Sequence, residues 1–248
     1  MSTFWSAVVL IAVVSVHELA HGLTAVALGM SVRRAGIGVG PAVWRGVIGR
    51  TPFEVRTIPC LAWVDVDAAA FRESGRAAQA LVLGAGPAAS IVLGMGLVFV
   101  AGVFAGRALG FAGAVKVGLC STVVAVTGTA GGLVAFICKC LSGEVRVLVS
   151  DVHGVIGVVK GLAEALALWG PEVFVAVGGL VSVAVGLFNL IPLPPLDGGR
   201  IVVSVLKGAV SDRYLALFEN CAALLVALLV VVVNLKDLIV LVFGGFGV

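Results

Sequence analysis

The hydrophobic positions of this chain gather into long runs. A helix needs about 20 apolar residues to cross a bilayer, and four stretches reach that length with little interruption: 4–28, 77–105, 173–193 and 221–243. Lys236 and Asp237 interrupt the last one, so its helix is expected to stop near Asn234 and leave a short apolar tail. Residues 117–138 form a fifth, ambiguous stretch. It is long enough to span, but Gly118, Gly128, Gly131, Gly132 and three threonines dilute it. Residues 144–169 are mixed in character. Lys160 and Glu164 lie four apart, as on one helix face, which suggests a segment lying along a surface.

Between the first two runs the pattern changes. Residues 35–66 place Val, Ile, Trp and Phe among glycines and prolines, a strand-and-turn signature. Full solvent exposure would leave many apolar side chains wet, so the sequence predicts an apolar β-hairpin dipping into the membrane. Strand backbone is tolerated at that depth only where protein or a polar cavity satisfies it. The predicted fold is an α-helical polytopic membrane protein with about four transmembrane helices and a membrane-embedded β-hairpin after the first.

Composition supports the membrane class. Of 248 residues, 61% are hydrophobic and 12% charged, against roughly 45–50% and about 25% in soluble chains. The net charge of +3 is small and dispersed, which offers no case for a nucleic-acid partner. Five cysteines with no CxxC pair suggest neither a disulfide framework nor a thiolate metal site. The first run lacks a basic leader and carries His, Glu and His, so it reads as a retained helix rather than a cleaved signal peptide.

Loop charge suggests an orientation. The loop after the first span holds seven arginines (Arg33, Arg34, Arg45, Arg50, Arg56, Arg72 and Arg76), and the loop after the third holds Arg200, Lys207 and Arg213. The longer region 106–172 holds only five basic residues. Basic loops stay cytoplasmic. Both termini are then expected on the non-cytoplasmic side, provided 117–138 does not cross.

The chemistry starts at His17-Glu18-Leu19-Ala20-His21. On a helix, His17 and His21 share one face a turn apart and can reach a single ion. Glu18 lies beside that face, placed to take a proton from a metal-activated water. By itself HExxH can be a chance pattern on a solvated helix. Inside a spanning run that reading weakens, because an ionised side chain at the helix centre costs about 2.5–3.5 kcal/mol on insertion scales. Zinc binding can offset it, with structural sites releasing about 10–16 kcal/mol in peptides.

A catalytic zinc site keeps three protein ligands and an open position. His153 is one candidate for the third, although an interfacial residue in the mixed segment explains it as well. Asp197 is the better candidate. It lies in NLIPLPPLDGG (189–199), directly after the third apolar run, where Pro192, Pro194 and Pro195 break the helix and let an acid turn inward. Alone, Asp-Gly-Gly could be a mere turn. Its pairing with an intramembrane HExxH favours the ligand.

HELAH on the first run together with NLIPLPPLDGG on a later one resembles the site-2 protease family of intramembrane metalloproteases, closest to the bacterial branch that cleaves membrane-anchored anti-sigma factors. GIGVGPAVWRG and VRTIPCLAWVDV look like that branch's membrane-embedded hairpin, and LGAGPAASIVLG looks like its second-span AGP motif. The segments 142–166 and 208–234 are similar to the stretch before its third span and to its last loop and span. The resemblance implies zinc on His17, His21 and Asp197, and Glu18 as catalytic base. It implies substrate contacts at Asn189, Pro192 and Pro194, and a non-spanning outer-surface segment over 106–172. It also implies a bacterial inner membrane and, as partners, the lipid bilayer and transmembrane or signal-peptide substrates.

The chain departs from that branch in three places. About ten residues, 106–115, stand where the branch carries one or two PDZ domains, so a single protease domain over 1–248 without PDZ is expected. Ser90 ends the AGP motif where Asn is usual. Leu61-Ala62-Trp63 replaces Gly-Gly-Tyr in the hairpin, which leaves Trp63 as a candidate contact if the hairpin pairs with unwound substrate as an added strand. The expected function is zinc-dependent intramembrane cleavage of single-span proteins or remnant signal peptides in regulated proteolysis. The alternatives are an inactive relative that sequesters membrane proteins, or a metal transporter. Glu18 and Asp197 are both present, which counts against the first, and the cores of spans two and four carry no further acids or histidines, which counts against the second.

Overall fold

The computed structural model describes residues 2–49, 51–143, 155–169 and 171–243. His153, Arg50 and residues 144–154 of the expected outer segment lie outside them. The elements in order are α1 (Ser2–Ala27), β1 (Val32–Ile48), β2 (Thr51–Val66), α2 (Ala68–Glu73), α3 (Arg76–Ala105), a 3-10 turn Arg107–Leu109, α4 (Gly110–Leu141), α5 (Val155–Trp169), α6 (Pro171–Asn189), α7 (Asp197–Leu206) and α8 (Asp212–Phe243).

This is an integral membrane protein of helices with one hairpin. Among the described residues four helical stretches are long and apolar enough to cross a membrane: Thr3–Ala27, Arg76–Ala105, Arg107–Cys140 and Asp212–Phe243. Val173–Asn189 is a shorter apolar helix. The ambiguous stretch therefore becomes one long helix, since Gly and Thr cost helix stability but do not forbid it. The third expected run stops at Asn189 rather than at 193, because Pro192 cannot continue the ladder. The last helix starts at Asp212 and runs on through Lys236 and Asp237 to Phe243. Those two charges are tolerated because they face each other at 3.3 Å, and Asp237 also accepts the Gly157 amide at 3.0 Å.

Two compact units divide the chain. One comprises residues 7–94 and 181–215 and carries the chemistry-bearing side chains. After α1 ends at Ala27, Gly29 closes the turn with a φ of +81°, with Met30 N bonded to Ala25 O at 2.9 Å and Gly29 N to Val26 O at 3.0 Å. Ala25, Met30 and Val82 are buried together there.

The hairpin of this unit is antiparallel, with Val32 opposite Val66 and Gly36 opposite Trp63 near its base, and Trp44 opposite Val55 and Ile48 opposite Thr51 toward its tip. Between the two ends the register shifts repeatedly, and Ala35, Gly36 and Ile37 pair with residues 62–64 on one side and with 53–55 on the other, so the bent hairpin folds back into a small antiparallel sheet. Val43, Trp44, Val47 and Ile48 stand exposed around the tip. Asp67 then caps α2 by accepting the Ala69 amide at 2.8 Å, and it also takes Arg33 at 3.1 Å.

In the same unit, α3 and α6 approach backbone to backbone. A Cβ on Gly186 would sit 2.7 Å from the Pro87 carbonyl. Buried Ser182 donates to the Ser90 carbonyl at 2.8 Å. Small residues let membrane helices pack this closely. Gln79 ties α7 to α3: it accepts from Ser204 and donates to the Phe71 and Ser74 carbonyls. Arg76 closes the far end on the Lys207 carbonyl at 2.6 Å.

The other unit holds residues 1–6, 95–180 and 216–248. Here α3 and α4 meet at Gly102 and Gly118, where a Cβ on Gly102 would lie 2.8 Å from the Gly118 Cα. In α5 the expected Lys160–Glu164 pair forms at 3.8 Å.

Candidate metal centre

His17 and Glu18 sit in the third-last turn of α1, with His21 one turn on. Asp197 opens α7, and the way it gets there is local. The chain leaves α6 at Asn189 and folds tightly over the first turn of α7: a Cβ on Gly198 would fall 2.3 Å from the Leu190 carbonyl oxygen, and one on Gly199 would fall 2.1 Å from Pro194 N. Only glycines fit under that loop. The carboxylate immediately before them is thereby turned inward, and Asp197 is 7% exposed.

The three side chains converge on one point. His17 Nε2 lies 3.1 Å from Asp197 Oδ2, His21 Nε2 lies 3.3 Å from the same oxygen, and the two Nε2 atoms are 3.2 Å apart. Zinc binds nitrogen and oxygen at about 2.0–2.1 Å in a tetrahedron, which sets ligand atoms about 3.3 Å apart. The triangle therefore has the size of one face of a zinc tetrahedron. The larger Ca²⁺, at about 2.3–2.6 Å with six to eight oxygens, would need wider spacing and more donors.

A second observation supports the fit. Gly86 of α3 faces the triangle, and a Cβ there would lie 2.3 Å from His21 Nε2 and 2.8 Å from His17 Nε2. The absence of that one carbon keeps the space beside the ligand atoms open. Two imidazoles and a carboxylate form a borderline donor set suited to zinc. Among the described residues this is the one group of three His, Cys, Asp or Glu close enough to share an ion.

Each imidazole is held from behind. His21 Nδ1 donates to the Val82 carbonyl at 2.7 Å, and a carbonyl can only accept, so the His21 proton sits on Nδ1 and Nε2 is free to ligate. His17 Nδ1 meets Ser90 Oγ at 3.0 Å. Pro87, one turn on from Val82 and Leu83, removes one rung of the α3 ladder beside these contacts. Glu18 is half-buried next to the triangle, with the Val64 backbone amide of β2 facing its carboxylate.

Residues 5–233 match peptidase family M50. The chain belongs to that family. It is the site-2 protease family that the HELAH and NLIPLPPLDGG motifs resemble. A zinc metalloprotease by name from Clostridium perfringens is 30% identical over 40% of this chain and 30% of its own length. Another from Thermotoga maritima is 36% identical over 25% of this chain and 12% of its own. The regulator of sigma E protease of Haemophilus influenzae is 38% identical over 37% of this chain and 21% of its own. The chain thus spans less than a third of the length of these curated relatives.

The expected substrate contacts of this M50 chain are more scattered. Asn189 bonds back to the Val185 carbonyl of its own helix at 2.9 Å. Pro194 is buried under the loop to α7 and Pro192 is exposed. Trp63 is half-buried in β2, with the Arg56 guanidinium 4.6 Å from its ring and Glu54 bridging Arg56 and Arg45. Its indole nitrogen is buried with no hydrogen-bond partner among the described residues. Sequence reasoning missed Gly86, Gly198, Gly199 and the Val82 carbonyl as parts of this site. The first lies in the AGP motif, so a signal for it was present. A backbone carbonyl leaves none.

Proposed function

We propose that this chain is a zinc-dependent intramembrane endopeptidase that cleaves single-span membrane proteins or remnant signal peptides, with His17, His21 and Asp197 as metal ligands and Glu18 as the general base. The observation that carries this reading is the triangle of ligand atoms with 3.1–3.3 Å edges beside an HExxH glutamate. Zinc, when bound, would lower the pKa of its water and polarise the scissile carbonyl. Glu18 takes the proton of the attacking water and returns it to the leaving amine. The helices around the site keep bulk water away.

A helical substrate hides its carbonyls in its own hydrogen bonds, so it must unwind locally to be cut. The hairpin, dipping into the membrane, offers β2 around Trp63 as a partner for the unwound strand. Asn189, Pro192 and Pro194 lie along the chain that leads into Asp197, where a substrate strand would pass. Residues 1–248 form one protease domain in a bacterial inner membrane. Both termini are non-cytoplasmic, which requires that 106–172 stays along the outer side and that α4, though long and apolar enough to cross, does not. The cation-rich loops after the first span and around Arg200 support that orientation. The role is a step in regulated intramembrane proteolysis, as the name of the Haemophilus relative suggests.

The test is a pair of variants in reconstituted membranes with a single-span substrate. Glu18→Gln should abolish cleavage and retain about one zinc per chain, whereas His17→Ala/His21→Ala should lose both. Full zinc occupancy in the double variant, or wild-type cleavage by Glu18→Gln, would sink the assignment.

A further inference from the structure

His17 and His21 are the same residue type in the same motif, yet the protein holds them differently. His21 leans on a backbone carbonyl, which dictates its tautomer. His17 leans on the hydroxyl of Ser90, 3.0 Å from Nδ1, and a hydroxyl can either donate or accept. Ser90 is fully buried at 0% exposure, as is Ser182, whose hydroxyl donates to the Ser90 carbonyl at 2.8 Å. A hydroxyl is costly to bury without a partner, and this one stands directly behind a candidate ligand.

We infer that Ser90 is a positioning residue for His17: its Oγ accepts the Nδ1 proton, fixes the ring, and keeps the Nε2 lone pair aimed at the metal. This rests on the zinc reading above and deepens it. The alternative tautomer would let Ser90 donate to a bare Nδ1 and leave a proton on Nε2, where ligation needs a lone pair. Ser182 belongs to the α3–α6 packing, where Gly186 brings the helices together: it bonds to the Ser90 carbonyl and leaves the Ser90 hydroxyl to His17. The metal would then have one ligand oriented by an immovable carbonyl and one by a rotatable hydroxyl.

The experiment measures zinc affinity of the full chain in detergent by chelator competition, together with the visible spectrum of the cobalt-substituted protein. Ser90→Ala should weaken zinc about 10- to 100-fold, the usual cost of losing a partner behind a ligating histidine, and should shift the cobalt bands. Ser182→Ala, which keeps the Ser90 hydroxyl, should stay within about threefold of wild type with unchanged bands. Wild-type affinity in Ser90→Ala would overturn the proposal. So would equal losses in the two variants, which would mean helix packing rather than a bond to His17. A readout free of substitution is the His17 Nδ1 proton of the zinc-loaded wild type by NMR: slow exchange with water supports the bond, and fast exchange refutes it. Failure of the zinc reading itself looks different, because wild type would then bind no zinc, or His17→Ala/His21→Ala would bind it fully.

Discussion

Glycine does opposite work in two regions of this protein. Around the metal centre, a Cβ on Gly86, Gly198 or Gly199 would fall 2.1–2.3 Å from its nearest neighbour, and on Gly186 2.7 Å. In α4, a Cβ on Gly128, Gly131 or Gly132 would meet nothing within 4 Å. Real Cβ atoms do not tolerate the first set of contacts, so those glycines are the condition for close approach. The second set lies on open faces of a long helix, where glycine only raises the cost of ordering the backbone. A count of 34 glycines cannot separate these roles.

The comparison can be broken most forcefully at the loop over α7. Gly199→Ala should cost about 3 kcal/mol or more, since its Cβ would meet the Pro194 backbone and a backbone has little room to give. Thermal unfolding in detergent measures it, and a neutral result would show that the 189–196 loop can lift. Next comes Gly86→Ala. The obstructing atoms are imidazole nitrogens on movable side chains, so the fold should survive and zinc affinity should fall about 100-fold or more, beyond the usual range for changes behind the ligands. Unchanged metal content would show that the triangle is not where the ion sits.

Gly131→Ala or Gly132→Ala should have the opposite sign, stabilising by about 0.5–1 kcal/mol through a smaller loss of backbone freedom on folding. Destabilisation by either would mean that these open faces are covered in the membrane. The smallest expected effect is at Asp67, outside the helices that can span. The hydrogen bond from Arg33, with the Ala69 amide, holds its carboxyl below its ordinary 3.8. A depressed carboxyl stabilises the fold above its unfolded value and loses that contribution as pH falls through the lower folded value. The protection of the Ala69 and Ala70 amides should therefore fade below about pH 4, and Asp67→Asn should remove the pH dependence. Protection that instead fades near neutrality would point to another group.

Much of this was legible in the chain. The long apolar runs place α1, α3 and α8, because in lipid a helix is the element that satisfies its own backbone. The Gly- and Pro-punctuated stretch 35–66 placed the hairpin, since β1 and β2 occupy 32–66. Boundaries fared less well. Charges at 236 and 237 suggested an end to the last helix, but Asp237 is satisfied by an amide 80 residues earlier, a partner that no local pattern announces. The stretch 117–138 read as ambiguous for a related reason. Threonines there donate to carbonyls one turn back, as Thr122 does to Gly118 and Thr129 to Ala125, so their polarity is absorbed within the helix.

The sequence by itself placed the candidate chemistry: HELAH puts two imidazoles and a carboxylate in one stretch of helix because helical periodicity is a local property. It also marked Asp197, through the prolines that end α6. Only the tertiary structure decided that Asp197, 180 residues from His17, closes the triangle to 3.1 Å, that Gly86 supplies the open wall, and that Ser90 and the Val82 carbonyl stand behind the two rings. Those are contacts between segments distant in sequence. They are set by how closely backbones can approach, and no residue carries a written sign of the partner it will meet.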